Sequence, residues 1–557
     1  MKRPLVSLSI ALLIGCGASD ESPPAEVGGG GGDGGGADVG GEGGQGGQPL
    51  DPRFVELGKI LEQDMETLDI PGAAVALIEN GEVVFVQGYG VRERGGTEPV
   101  DGDTLFALAS VSKSITATAV SSVVEDHADV SLDSAAIDWI PTLTFPPDEL
   151  VPTITLRMLL NHSAGFPSYW QSSTSQAEST DASAQLLVTN LLPFLASYGF
   201  ELFSTPGLAF TYSNPGYGLA ALAAESIEGA YFADIVKQRV AMPLGMTRTF
   251  ARASEVEAAG NYTRGVYDDL TVTLVGPRNI DVAWGRPAGL IWSSASDMAK
   301  FVRFHLEGDA AVLSDEARLA MQSPQMDVQS CFASKWYGYG LYANEGFWWL
   351  RYSADAALAA RYHPVRTVAH TGGIDGFRTF VLWLPDERAG YVLLQNASPY
   401  RPWKAMDYIH DAILPLGEPG TPPDDTGDPE NWAPFAGNYF DPVFLGNVTV
   451  TVDEEGVHVD MPDSPYVYAD TLTPLCNDTF LLGLAGFTLE ATLIHDLNGD
   501  PNLIRIEGAN FLERIPPTAV APKTTALLAP LEVRRAELMK ALRQHEAEHP
   551  MARRAKR

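Results

Sequence analysis

Ser110-Val111-Ser112-Lys113 is the stretch that most narrows what this chain can be. Apolar Phe106-Ala107-Leu108-Ala109 leads into it, and Ser114-Ile115-Thr116 continues it as a helix that can be buried. A serine at the first turn of such a helix and a lysine three residues on share one face. Serine is a poor nucleophile until a neighbour takes its proton, and lysine can take it only once its own pKa is lowered. Burial lowers it, as does the positive end of a helix dipole. Backbone N–H groups at the same helix start face an incoming oxyanion. Ser110 and Lys113 form the one Ser-x-x-Lys of the sequence. The competing reading is a helix-capping serine beside a lysine that snorkels to solvent, so the rest of the chain decides between them.

The 557 residues suffice for more than one domain, and their net charge of −34 argues against nucleic acid as a partner, since phosphates would be repelled. Met1-Lys2-Arg3 followed by apolar Leu5 to Ile14 reads as an export signal too short to span a bilayer. Its end, Leu13-Ile14-Gly15-Cys16, resembles a bacterial lipoprotein signal (residues 1–16). That resemblance implies a lipid on Cys16, a membrane anchor and a place in the bacterial cell envelope. Residues 17–50, mostly Gly and acidic residues, cannot bury enough surface to fold and read as a flexible tether. The other two cysteines, Cys331 and Cys476, make no disulfide framework, and the sequence leaves open whether they pair.

A folded body is expected over 51–415. It opens with a helix at Phe54 to Leu68 and a hairpin, Ala73 to Glu79 and Glu82 to Tyr89, around Asn80-Gly81. After the Ser110 helix comes Leu156 to Gly165, a short helix ending in a turn, where His162 reads as structural. Residues 166–205 read as loops and helices of an α subdomain that could roof a cleft. Pro206 to Tyr217 then delivers Tyr212 and Asn214 from a loop ahead of an apolar helix. A tyrosine exchanges protons when cationic neighbours hold its pKa down, and an asparagine can orient a lysine or a substrate carbonyl. Tyr342-Ala343-Asn344 repeats the triplet, but Tyr212 has the Gly/Pro-framed loop before a helix. Gly285 to Leu290 reads as a turn into a short strand. His370-Thr371-Gly372-Gly373 precedes two strands, Thr379 to Leu384 and Tyr391 to Asn396. A Gly-lined strand edge lets a substrate backbone approach, and its N–H groups can complete an oxyanion hole.

With these pieces in order, residues 51–415 resemble the serine β-lactamase-like family of class C β-lactamases, penicillin-binding proteins, D-stereospecific peptidases and esterases. The resemblance implies an α/β (α+β) fold, an antiparallel sheet flanked by helices plus an all-α subdomain. It implies Ser110 as nucleophile, Lys113 as base and Tyr212 as proton shuttle. Asn214, His370, Thr371 and Gly372 would support them, and the N–H groups of Ser110 and Gly373 would hold the oxyanion. Leu159 to Gly165 and Pro243-Leu244-Gly245-Met246 look like further family landmarks. It implies an acyl-enzyme on Ser110 and neither metal nor organic cofactor. His370 stands where the lactam-processing members carry a lysine that holds the substrate carboxylate. A histidine is mostly neutral at pH 7. This shifts the expectation from a β-lactamase or D-alanyl-D-alanine carboxypeptidase towards an esterase or small amide or D-peptide hydrolase. The substrate expected is therefore a small ester, an amide or a peptidoglycan-like molecule, and a catalytically silent binding or sensor protein is the third reading.

Other chemistries fare poorly. No Gly-x-Ser-x-Gly occurs. His545-Glu546-Ala547-Glu548-His549 has zinc-protease spacing but lies in a charged tail cut off by Pro550. Asp496 to Asp500 lacks the closing glutamate of a calcium loop and reads as a hairpin turn. After an acidic linker at 416–431, short strand-like runs over 432–516 predict a small antiparallel β domain. Phe435-Ala436-Gly437-Asn438-Tyr439 resembles the opening of the lipocalin-like domain that follows the hydrolase in some relatives. Residues 517–557 read as a basic, helical tail.

Overall fold

The structure is a computed structural model. It describes residues 50–514 except 169–178, 198–199, 269–271, 329–335, 351–359, 399–400, 422–430, 442–445, 463–468, 477, 485–486, 496–500 and 507–509. The export signal with Cys16, the tether up to residue 49, Cys331 and hence its pairing, the Asp496 to Asp500 turn and the 517–557 tail lie outside the described residues. Among the described residues no helix is long and apolar enough to cross a membrane.

The first strand explains the layering. Gly72–Glu79 (β1) is buried along almost its whole length, so it reads as a continuous apolar run rather than an alternating one. Its odd residues, Ala73, Val75 and Leu77, join one core with Phe54, Leu57 and Leu61 of the helix Pro52–Thr67 (α1). Its even residues, Ala74, Ala76 and Ile78, join the larger core on the opposite face. The hairpin to Glu82–Gly90 (β2) turns at Asn80 and Gly81, both at positive φ (53° and 77°), as the Asn-Gly pair predicts. The helices Ser112–Asp126 (α2), Asn214–Glu228 (α3) and Ala295–Glu307 (α4) belong to the larger core.

Six more strands complete the sheet: Met326–Asp327 (β3), Trp336–Tyr337 (β4), Tyr342–Asn344 (β5), Thr367–Ile374 (β6), Phe377–Leu384 (β7) and Ala389–Gln395 (β8). Their order is β2-β1-β8-β7-β6-β5-β4-β3, antiparallel throughout. Chain-distant β1 and β8 thus become neighbours, which closes the body on itself. The helix Trp403–Tyr408 (α5) covers the α1 face, where Asp64 of α1 accepts the Ala405 N–H at 2.9 Å.

Beyond it, eight strands close an antiparallel barrel: Gly437–Asp441 (β9), Gly446–Asp453 (β10), Gly456–Asp460 (β11), Ala469–Cys476 (β12), Thr479–Leu484 (β13), Phe487–His495 (β14), Pro501–Ile506 (β15) and Asn510–Arg514 (β16). Trp432, Phe435, Tyr439, Phe480 and Leu493 belong to its core, so side chains fill the interior as in other small barrels.

The body holds histidines that folding keeps neutral. Burial pushes His305, His370 and His410 down to about 3. The unfolded chain therefore binds more protons than the native one between about pH 6.5 and 3, and stability falls as the pH drops through that window. At pH 5.5 the three together remove on the order of 4 kcal/mol relative to pH 8. Glu225, whose carboxyl burial pushes up to about 7, offsets on the order of 2 kcal/mol of it by binding its proton in the folded state, so the net loss is smaller. Urea unfolding at the two pH values checks this. An unchanged midpoint would refute it.

Candidate active site

Ser110 is held by backbone constraints before any side chain acts. The short strand Phe106–Ala107 pairs with Trp292–Ser293, and the Leu108 N–H donates to Ile291 O at 2.8 Å. Ala109 then adopts φ 48°, a strained setting for a residue with a Cβ, and opens a tight 3₁₀ turn, Ala109–Val111, that feeds α2. On the other side lies Gly372 of β6. A Cβ added there would come within 2.4 Å of Leu108 O and 3.0 Å of Ser110 N, so only glycine lets the strand reach the serine's backbone.

Lys113 lies in the first turn of α2 and is fully buried. Its Nζ donates to Ala288 O at 2.6 Å and to Asn214 Oδ1 at 2.8 Å, and stands 3.3 Å from Ser110 Oγ. Among the described residues no carboxylate pairs with it. Burial alone pushes its pKa well below the ordinary lysine value. The rings of Tyr212 and Tyr217 lie 4.7 and 5.6 Å from the amine.

Asn214 is the first residue of α3 rather than part of the loop before it. Ser213 caps that helix, its Oγ accepting the Gly216 N–H at 3.0 Å, and Pro215 sits in the first turn where no N–H is needed. Tyr212, just outside, belongs to a buried aromatic cluster with Phe210, Tyr337 and Tyr342. His162 anchors this loop: its carbonyl accepts the Thr211 N–H at 2.6 Å and its Nδ1 the Ser213 N–H at 3.0 Å. Its ring lies 4.3 Å from that of Tyr212. The structural reading of His162 therefore stands, and what the histidine supports is the candidate shuttle.

His370 is buried, and the Lys113 charge adds to burial in holding its pKa down. Its Nδ1 donates to Thr371 O at 2.7 Å, which leaves Nε2 to accept the Tyr337 hydroxyl at 3.1 Å. With a pKa of about 3 it carries no charge at neutral pH. β6 pairs with β5 only over Thr367 to Ala369, so residues 370–374 hold strand pairing from β7 alone. Thr371, Gly372 and Gly373 lie on that half-paired edge.

The structure thus gathers Ser110, Lys113, Tyr212 and Asn214 around one amine, with Gly372 against the serine's backbone. Two partners were not foreseen. Residues 285–290, expected as a turn into a short strand, do lead into the strand Trp292–Ser293, but the turn is a wide helical one over 286–290 with Pro287 in its first turn, where its missing N–H costs nothing. That turn presents the Ala288 carbonyl to Lys113 and is bolted to α2 by Thr116 Oγ1, which donates to Pro287 O at 2.7 Å. Arg286, buried and paired with Asp281 and Asp181, fixes its start. The Gly-Arg-Pro-Ala-Gly run was the only signal for it. Tyr337 gave none, since nothing in its flanks marks a partner for His370.

A covered antiparallel sheet with a buried Ser-x-x-Lys pair beneath one of its strands defines the β-lactamase/transpeptidase class of folds. A family profile described as Beta-lactamase matches residues 57–413. The chain belongs to that family, whose members are typically serine hydrolases. Penicillin-binding protein 4* of Bacillus subtilis is 25% identical over 332 residues, 58% of this chain and 67% of that protein. Protein flp of Staphylococcus aureus is 24% identical over 368 residues, 64% of this chain and 66% of that protein. The chain thus spans about two thirds of the length of these curated relatives. Among solved structures, the octameric penicillin-binding protein homologue from Pyrococcus abyssi matches with a TM-score of 0.54 at 21% identity, covering 82% of this chain and 99% of that one.

Proposed function

We propose that the protein hydrolyses carboxylic esters, small amides or D-peptides through an acyl-enzyme on Ser110. The observation that carries this reading is the fully buried Lys113 amine, 3.3 Å from Ser110 Oγ and, among the described residues, without a carboxylate partner. A neutral amine has two N–H donors and one lone pair. The carbonyls of Asn214 and Ala288 can only accept, so they take both donors and leave the lone pair to the serine hydroxyl. Ser110 Oγ then attacks the substrate carbonyl carbon while its proton passes to Lys113. The N–H groups of Ser110 and Gly373 receive the oxyanion. Tyr212 relays the proton to the leaving oxygen or nitrogen, whose bond to the carbonyl carbon breaks. Water then attacks the ester carbonyl, gives its proton back along the same groups, and releases the acid and free Ser110.

The neutral His370, its Nε2 taken by the Tyr337 hydroxyl, favours substrates that need no cation at the third motif. The name of the Bacillus subtilis relative, a penicillin-binding protein, favours the second reading, acylation by penicillin-like substrates. The two separate in one experiment: the protein and its Ser110→Ala variant are treated with a fluorophosphonate and with a fluorescent penicillin, and assayed on chromogenic esters. Ser110-dependent fluorophosphonate labelling with ester turnover is the expected result. Strong penicillin labelling would move the assignment to the second reading, and no Ser110-dependent label from either probe would leave a silent binding protein. The same reading anchors the body through lipid on Cys16. Incorporation of a clickable fatty acid should vanish in Cys16→Ser, and label retained there would overturn the anchor.

A further inference from the structure

The barrel does more than follow the hydrolase body. Along β15, Ile504 points inward and joins the barrel core with Leu493 of β14. Alternation therefore turns Leu503 and Arg505 outward, along with Ile494 and Thr492 on β14. Outward residues of a free barrel would be wet, yet all four are at least 97% buried. What covers Ile494 and Leu503 is the stretch that leads to Tyr212. Ile494 and Leu503 form a cluster with Ala209, and Phe203 and Leu208 pack against it.

At the edge of this patch Arg505 reaches into the body. One terminal nitrogen donates to Phe210 O at 3.3 Å, and the other donates to Val328 O at 2.5 Å and to Thr492 Oγ1 of the neighbouring strand at 3.4 Å. Phe210 stands two residues before Tyr212 and shares its aromatic cluster, against which Val328 packs. A planar guanidinium suits this task, because its rigid fork can satisfy two carbonyls at a fixed separation.

We propose that Arg505 is a positioning residue for the candidate active site, and that docking of the barrel holds the Tyr212 loop where the phenol can serve Ser110. The idea rests on the serine-hydrolase reading above and adds a role for the barrel to it. Removing the fork leaves two backbone carbonyls without their donor and frees the loop. Misplacement by about 1 Å of a group that moves a proton can cost as much as 100-fold in rate.

The test uses the full chain with Arg505→Ala, Arg505→Gln and Arg505→Lys. Expected for Arg505→Ala is a fall in kcat on the model ester of about tenfold or more with KM within twofold, and slower fluorophosphonate labelling in parallel. Arg505→Lys should recover part of the rate, because one ammonium reaches one carbonyl. If the alanine variant does not fold, Arg505→Gln is read in its place. Unchanged kcat in the folded variant, or a raised KM with unchanged kcat, overturns the proposal. Hydrogen exchange over residues 203–213 gives a readout independent of turnover: it should speed about tenfold in the variant, and unchanged exchange overturns the proposal. Should the wild type show no Ser110-dependent turnover, the hydrolase reading has failed, and the exchange measurement still decides the loop.

Discussion

Replacing Ser110 with alanine abolishes fluorophosphonate labelling and lowers ester turnover by a factor on the order of 10⁴ to 10⁶, the range found when a nucleophile that works as a unit with its base is removed. The size of the effect follows from the division of labour at the site. Lys113, Tyr212 and the backbone donors can polarise a substrate, but none of them supplies the oxygen that forms the acyl bond. Stability should barely change. Among the described residues the Ser110 hydroxyl makes one hydrogen bond, of 3.3 Å to the lysine, and its removal leaves Asn214 and Ala288 still satisfied by that amine. The matched control is Ser112→Ala. That hydroxyl accepts the Ile291 N–H at 3.1 Å and ties α2 to the Trp292 strand, so its loss should lower the melting temperature while Ser110 labelling persists. Labelling that survives in Ser110→Ala would place the nucleophile elsewhere.

Lys113→Met is expected to be the second severe loss, about 10³-fold or more in kcat, with the fold intact. Methionine keeps the length and the apolar stem but has no lone pair able to take the serine proton. Two effects on stability oppose each other. The variant no longer buries an amine, which favours it, and it leaves the Ala288 carbonyl without its 2.6 Å donor, which does not. The melting temperature should therefore stay within a few degrees of wild type. The same amine sets the pH profile. Its pKa is pushed well below the ordinary lysine value by burial, and the neutral form is the active one. The rate should accordingly rise with pH through that lowered value and stay high above it, and it should fall on the acid side as the amine takes up a proton. Lys113→Arg, which cannot lose its charge at any of these pH values, should be inactive throughout. A rate that rises only near the ordinary lysine value of about 10.4 would show that the amine is solvated and the burial argument wrong.

Much of the site was readable from residues that sit close together in the chain. Ser110 and Lys113 belong to one local motif. The hairpin at Asn80-Gly81 followed from turn chemistry, and a strand edge open to a substrate backbone from the glycines after His370, while its pairing on one side only came from the sheet register. Tyr212 could be chosen over Tyr342 because Pro206 to Pro215 punctuate its loop. What stayed hidden was of another kind. The Ala288 carbonyl is a backbone atom 175 residues from the lysine it meets, and backbone atoms leave no compositional trace. Tyr337 reaches His370 across the sheet from a two-residue strand, and Arg505 reaches Phe210 from another domain, 295 residues away.

The sequence by itself determined the chemistry on offer: a serine and an amine one turn apart, a phenol on a framed loop, and a glycine edge with a histidine in place of a lysine. Local periodicity and turn preferences suffice for that, because they depend on neighbours a few residues apart. Only the tertiary structure decided the state of those groups: that the amine is dry and faces two carbonyls, that the imidazole is neutral and faces a tyrosine, and that the phenol's loop is clasped by the barrel. Charge state depends on which atoms are packed around a group and how much water is excluded, and both arise only when distant segments close over one another.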